Sequence, residues 1–119
     1  MSWQEFLQAR PLGVVATIGE DGLPHVVPVE VLVADDKVYV WTRARSRKVA
    51  NVARAGVAAL TAYKGNDFVL VRGRARVLDA TDPSYEQLAR GFLRKYDRDE
   101  TFGNDRLIEI LPEKISFRG

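Results

Sequence analysis

The segment Trp41-Thr42-Arg43-Ala44-Arg45-Ser46-Arg47-Lys48-Val49-Ala50-Asn51-Val52 decides how the rest of this 119-residue chain is read. Its basic residues, Arg43, Arg45, Arg47 and Lys48, fall within six positions. Val38-Tyr39-Val40-Trp41-Thr42 is β-branched and aromatic, the composition of a strand, whereas Val49, Val52, Ala53 and Gly56 recur at helical spacing. The charges therefore sit at a strand-to-helix turn. Ser46 is a good N-cap for a helix from Arg47 to about Ala55, and Gly56 is placed to end it.

That first turn is wrong for a helix on its own. A helix N-terminus carries roughly half a positive charge and unsatisfied N–H donors, so Asp and Glu belong there, and Arg47 and Lys48 each destabilise it by a few tenths of a kcal/mol. Between Asp36 and Asp67 the chain has no acidic residue at all. A bound phosphate, held by backbone N–H groups, the Ser46 hydroxyl and the Arg47–Lys48 pair, removes the conflict. The alternative is a solvated helix start whose cations pair with acids from elsewhere in the fold.

Outward from the turn, the pattern is of hairpins. Ser2-Trp3-Gln4-Glu5 has capping-box spacing, with Trp3, Phe6 and Leu7 as a short apolar stripe before Pro11, which suits a lid or plug helix. Leu12 to Ile18 is a strand, and Glu20-Asp21-Gly22 turns into a second running through Val33. Pro24 and Pro28 each remove a ladder donor, so the second strand belongs at an edge or is interrupted near its middle. Asp35-Asp36-Lys37 leads to the third strand, which delivers the basic turn. Val57 to Tyr63 is a fourth, and Lys64-Gly65-Asn66 turns into a fifth from Asp67 to about Leu78.

In that fifth strand Val69, Val71, Gly73, Ala75 and Val77 form the barrel-facing side, and Phe68, Leu70, Arg72, Arg74 and Arg76 the other. The arginine row reads as a subunit interface or a solvated edge before a nucleic-acid contact, because aromatics are not interleaved with it, and Arg76 is expected to matter little for stability. Thr81-Asp82-Pro83 starts a long helix whose stripe, Tyr85, Leu88, Ala89, Phe92 and Tyr96, is expected to cap the barrel. A charged loop from Asp97 to Asp105 precedes a last strand pair, or one bent strand, from Leu107 to Phe117. The expectation is mainly β with flanking helices: one domain, residues 1–119, folded as a six-stranded antiparallel split β-barrel.

Composition narrows the chemistry. The 46% hydrophobic content suffices for one core, but a chain this short has little room to enclose a ligand alone. There is no cysteine, so disulfides, thiol nucleophiles and thiolate metal sites are excluded. His25 is the only histidine, which leaves no basis for a Ser-His-Asp triad or a metal centre. The net charge of +2 does not call for nucleic acid. With neither a signal-peptide pattern nor an apolar membrane-length run, a cytoplasmic protein with no membrane association is the simplest fit.

Taken in order, Gly13-Val14-Val15-Ala16-Thr17, Asp21-Gly22-Leu23-Pro24-His25-Val26-Val27-Pro28-Val29, Trp41-Thr42, Ser46-Arg47-Lys48, Asn51 and Val71-Arg72-Gly73-Arg74-Ala75 resemble the FMN-binding split-barrel family, the pyridoxamine 5′-phosphate oxidase-like flavoproteins and their deazaflavin (F420)-dependent relatives. The resemblance covers nearly the whole chain. It implies that Ser46, Arg47 and Lys48 bind the flavin phosphate, that Trp41 and Thr42 touch the flavin, and that the second strand lines its ring through His25, Val27, Pro28 and Glu30, with Asn51 nearby. It further implies a homodimer with cofactors in clefts between subunits. Catalytic residues are not assigned.

The oxidase proper has Arg and Lys where this chain has His25 and Glu30, its partner-subunit Gln falls near Phe68, and its C-terminal substrate segment has no counterpart after Phe117. These departures argue against pyridoxamine phosphate as substrate. The leading expectation is an FMN-dependent oxidoreductase acting on a small organic molecule; F420 is the alternative cofactor, and a nicotinamide nucleotide would enter only as a transient co-substrate, since no Rossmann glycine pattern exists. Two further readings stay open. A non-catalytic flavin binder would hold cofactor without turnover, and a nucleic-acid-binding barrel would show steep salt dependence. His25 and Trp41 read equally well as core residues.

Overall fold

The computed structural model describes residues 1–99 and 104–119, so part of the expected charged loop, residues 100–103, lies outside the described residues. In chain order the elements are α1 (Trp3–Gln8), β1 (Gly13–Ile18), β2 (Pro24–Val29), β3 (Val31–Ala34), β4 (Lys37–Arg43), α2 (Arg47–Ala55), β5 (Val57–Lys64), β6 (Asp67–Leu78), α3 (Tyr85–Lys95) and β7 (Asp105–Arg118). The strands form one antiparallel sheet in the order β2-β1-β5-β6-β7-β4-β3.

Seven strands replace the six expected, because the second strand breaks at Glu30 and its halves join opposite edges of the sheet. Ladder spacing would put the edges of a flat seven-stranded sheet roughly 29 Å apart, whereas Val29 and Val31 are two Cα steps, at most about 7 Å, from each other. The sheet must therefore curl until its edges meet. Pro28 helps to end β2: it has no N–H to continue a ladder, and the β1 register stops at Gly13↔Val29.

The last strand is one bent strand. β7 pairs with β6 from Phe68↔Arg118 to Leu78↔Leu107, with a register shift beside Gly73, which lies opposite Pro112. A Cβ on Gly73 would stand 1.9 Å from the Leu111 carbonyl oxygen, so only glycine permits that approach. The first half of β7 also pairs with β4.

Alternation along the strands makes two cores. Val15, Val31, Val38, Val40, Leu60, Val69, Val71, Ile108 and Ile110 fill the barrel, and Phe6 and Leu7 of α1 plug it as the capping box suggested. The alternate residues Leu32, Tyr39, Leu78 and Leu107 face outward and are covered by Leu88 and Phe92 of α3. The α3 stripe thus covers an outer sheet face rather than capping the barrel: these strands are apolar on both faces and need a second layer. α3 also begins later than Pro83, at Tyr85, because the Asp82 carboxylate takes the Ser84 N–H and hydroxyl in a tight turn first.

Within the arginine row, Arg76 does not behave as a solvated edge. Its Nε is 2.8 Å from Oε1 of Glu109, whose side chain is only 3% exposed, and Tyr39 donates its hydroxyl to the other oxygen at 2.9 Å. Arg74 makes a looser, exposed pair with Glu113.

Candidate functional site

β4 ends and α2 begins within a few residues, which gathers the site's hydroxyls and cations. Ser46 is the N-cap in extended backbone, and its Oγ accepts the Val49 N–H at 3.3 Å. Thr42, buried at the end of β4, donates its hydroxyl to the same oxygen at 2.9 Å. The Ser46 oxygen thus accepts twice, and its own proton is left to donate outward. Gly56 in the left-handed region closes the helix by donating to the Val52 carbonyl at 2.8 Å.

The first turn of α2 has no acid. Among the described residues no carboxylate forms an ion pair with Arg45, Arg47 or Lys48. Lys48 is half-buried, and that desolvation lowers its pKa below the ordinary lysine value.

Beside this turn a groove of about 710 Å³ runs between α2 and the β1–β2 hairpin, with His25, Pro24, Arg47, Asn51 and Arg54 in its walls. His25 pairs with Thr17 across the ladder, which turns both to the same side of the sheet. Its Nδ1 is buried without a hydrogen-bond partner among the described residues. Asn51, 5% exposed, donates to Thr17 Oγ1 at 3.0 Å and accepts from Arg54 at 3.1 Å, tying α2 to β1. Arg54 also donates to the Ile18 carbonyl. Sequence reading missed Arg54, although its spacing of seven from Arg47 puts both on one helical face.

The other site residues named from sequence lie elsewhere. Val27 is packed against the barrel core. Pro28 is exposed opposite Val14, Glu30 sits between the sheet edges paired with Arg98, and Trp41 packs edge-on against Phe92 of α3 at 5.1 Å, away from the groove. His25, Thr42, Ser46, Arg47, Lys48 and Asn51 are thus the group drawn together around the N-terminal half of α2. Among the described residues no cluster of His, Asp and Glu could hold a metal ion, and no helix is long and apolar enough to cross a membrane.

Two cations and an imidazole nitrogen without partners among the described residues, a hydroxyl with a free proton and a helix N-terminus fit a phosphorylated ring cofactor lying along the groove. Beyond the groove, the outer face of the sheet exposes apolar side chains beside its arginines: Ile18, Val26, Val57 and Phe68 are each about 40% exposed or more, on the same face as Arg72 and Arg74.

Comparisons with known proteins bear on the family and the fold. The family model for pyridoxamine 5′-phosphate oxidase matches residues 2–119. An F420H(2)-dependent biliverdin reductase of Mycobacterium tuberculosis (strain CDC 1551 / Oshkosh) is 36% identical over 113 residues, covering 92% of this chain and 81% of the relative. Among solved structures, a conserved hypothetical protein of Mycobacterium tuberculosis, Rv2991, superposes with a TM-score of 0.80 at 23% identity, covering 97% of this chain and 82% of the other. An F420 reductase superposes with a TM-score of 0.76 at 20% identity, covering 98% of each chain. The chain belongs to the pyridoxamine 5′-phosphate oxidase family, whose fold serves flavin- and deazaflavin-dependent oxidoreductases.

Proposed function

We propose that this protein is an F420-dependent reductase that works as a homodimer, with the phosphate of the deazaflavin held by Ser46, Arg47 and Lys48 at the start of α2. The observation that carries this reading is the acid-free cationic first turn beside a groove with a His25 nitrogen that has no partner among the described residues. F420 is favoured over FMN by the 36% identity to a reductase that uses it. That relative acts on biliverdin, so a linear, conjugated tetrapyrrole is the substrate class to test first.

When bound, the deazaflavin supplies a hydride from its reduced ring. The protein's own residues bind and orient. Arg47 and Lys48 neutralise phosphate charge, the Ser46 O–H donates to a phosphate oxygen while Thr42 keeps Ser46 in place, and backbone N–H groups of the first helical turn add donors. His25 offers a ring nitrogen to a polar edge of the cofactor from the opposite wall. The proton that completes the substrate's reduction would come from the reduced cofactor's own ring N–H or from water in the open groove.

The exposed apolar residues Ile18, Val26, Val57 and Phe68 of β1, β2, β5 and β6 suit a second copy, which would bury about 800 Å² on each subunit and add the wall that a chain of 119 residues lacks. FMN at the same turn is the second reading, favoured by the family model matched over residues 2–119.

The test is titration of F420 and of FMN into the purified protein, followed by the rate of F420H2 oxidation with biliverdin added. Micromolar F420 binding with biliverdin-dependent oxidation is the expected result. Tight FMN binding without F420 binding selects the second reading, and saturable binding of neither defeats both.

A further inference from the structure

Glu30 is the single residue between β2 and β3, the two edge strands, and no ladder joins those edges to one another among the described residues. What holds the seam is the end of α3. Tyr96 Oη accepts the Val31 N–H at 2.8 Å and lies 2.9 Å from the Pro11 carbonyl, to which it donates, with the Val31 carbonyl as a second acceptor at 3.1 Å. Lys95 Nζ donates to that Val31 carbonyl at 2.6 Å, and the Arg98 guanidinium pairs with the Glu30 carboxylate.

Pro11 leads into β1, the neighbour of edge strand β2, whereas Val31 opens edge strand β3. One phenol oxygen therefore touches the chain on both sides of the seam. Val31 is fully buried, so its N–H has no water to turn to if that oxygen is removed. β2 is held by a ladder on one side only, through β1, and its far end at Val29 runs directly into the pinned pair.

We infer that Tyr96 is a positioning residue: it pins the two edges of the split sheet together and thereby sets β2, with His25, against the cationic turn of α2. This rests on the cofactor reading above. A ring cofactor gripped between β2 and α2 is sensitive to the spacing of those two walls, and Tyr96 acts on that spacing without reaching the groove, in whose lining it has no part.

The test is Tyr96→Phe, which keeps the ring stacked on Phe92 and removes only the hydroxyl. Tyr85→Phe is the matched control, removing a hydroxyl from the other end of the same helix, where it donates to the Asp105 carbonyl at 3.2 Å. Amide exchange at Val31 in the cofactor-free chain should become about tenfold faster in Tyr96→Phe and stay unchanged in the control. Cofactor affinity should fall roughly fivefold, with a shifted absorption band of the bound cofactor, in Tyr96→Phe alone. Unchanged exchange at Val31 overturns the pin, and faster exchange with unchanged affinity and absorption overturns the positioning role. If the wild-type chain binds neither F420 nor FMN, the proposed function and the positioning role both fall, and exchange at Val31 alone decides whether Tyr96 pins the seam.

Discussion

Lys48→Ala should weaken cofactor binding and strengthen the cofactor-free fold, two effects of opposite sign from one ammonium. Lys48 lies in the first turn of α2, half-buried, with no acid partner among the described residues, and burial alone lowers its pKa. A charge-assisted contact to phosphate contributes about 1.5–3 kcal/mol, so its loss should raise Kd by roughly ten- to a hundred-and-fifty-fold. In the free protein the same cation opposes the helix dipole by about 0.3–1 kcal/mol. For a chain of 119 residues the unfolding entropy is about 0.25 kcal/mol per kelvin, which turns that relief into a Tm increase of about 1–4 °C. Fluorescence titration at two salt concentrations measures the first effect, and calorimetry of cofactor-free protein the second. Arg90→Ala, which breaks only the exposed pair with Glu86, should leave affinity unchanged. An unchanged Kd with a Tm several degrees lower would make Lys48 a structural ion and refute the phosphate assignment.

Arg76→Ala should destabilise the protein by about 1.5–3 kcal/mol, since the Glu109 carboxylate keeps only Tyr39 as a partner; urea unfolding within about 0.5 kcal/mol of wild type would show the pair to be inert. Burial holds Lys95 down to about 8, below the ordinary 10.5, despite Glu30 nearby. Between those values the unfolded chain binds more protons than the folded one, so the urea midpoint should rise from pH 8 towards 10, and Lys95→Met should flatten the rise. Above about pH 10 the trend should reverse, because burial raises Tyr39, Tyr85 and Tyr96 and the folded chain then holds the extra protons. Gly73→Ala should prevent native folding, whereas Gly56→Ala, with nothing within 4 Å of the added methyl but a φ of +70, should lower stability by about 1–2 kcal/mol; equal thermal shifts would contradict the bulge geometry.

Much of the site was legible because its signals are local. The Ser46 cap, the Gly56 stop and the β-branched run into Trp41-Thr42 act through neighbours a few residues away, and the cations at a helix start declare a conflict that needs no tertiary knowledge. The same is true of the Ser2–Glu5 capping box and of a β6 whose alternate residues face the core. Pro24 and Pro28 already implied a second strand that is an edge or is interrupted, and it is both.

The sequence by itself thus determined most of the helices and strands, which face of β6 is buried, and that the first turn of α2 is cationic and free of acids. Only the tertiary structure decided that Glu30 carries the chain from one sheet edge to the other, that α3 covers an outer face and pins the seam, that Trp41 turns to Phe92, and that Arg76 serves a buried carboxylate. Periodicity reports how often a residue faces an apolar surface, and capping reports a backbone conformation. Neither reports which distant strand or helix provides that surface, because partner choice is settled by closing the whole sheet at once.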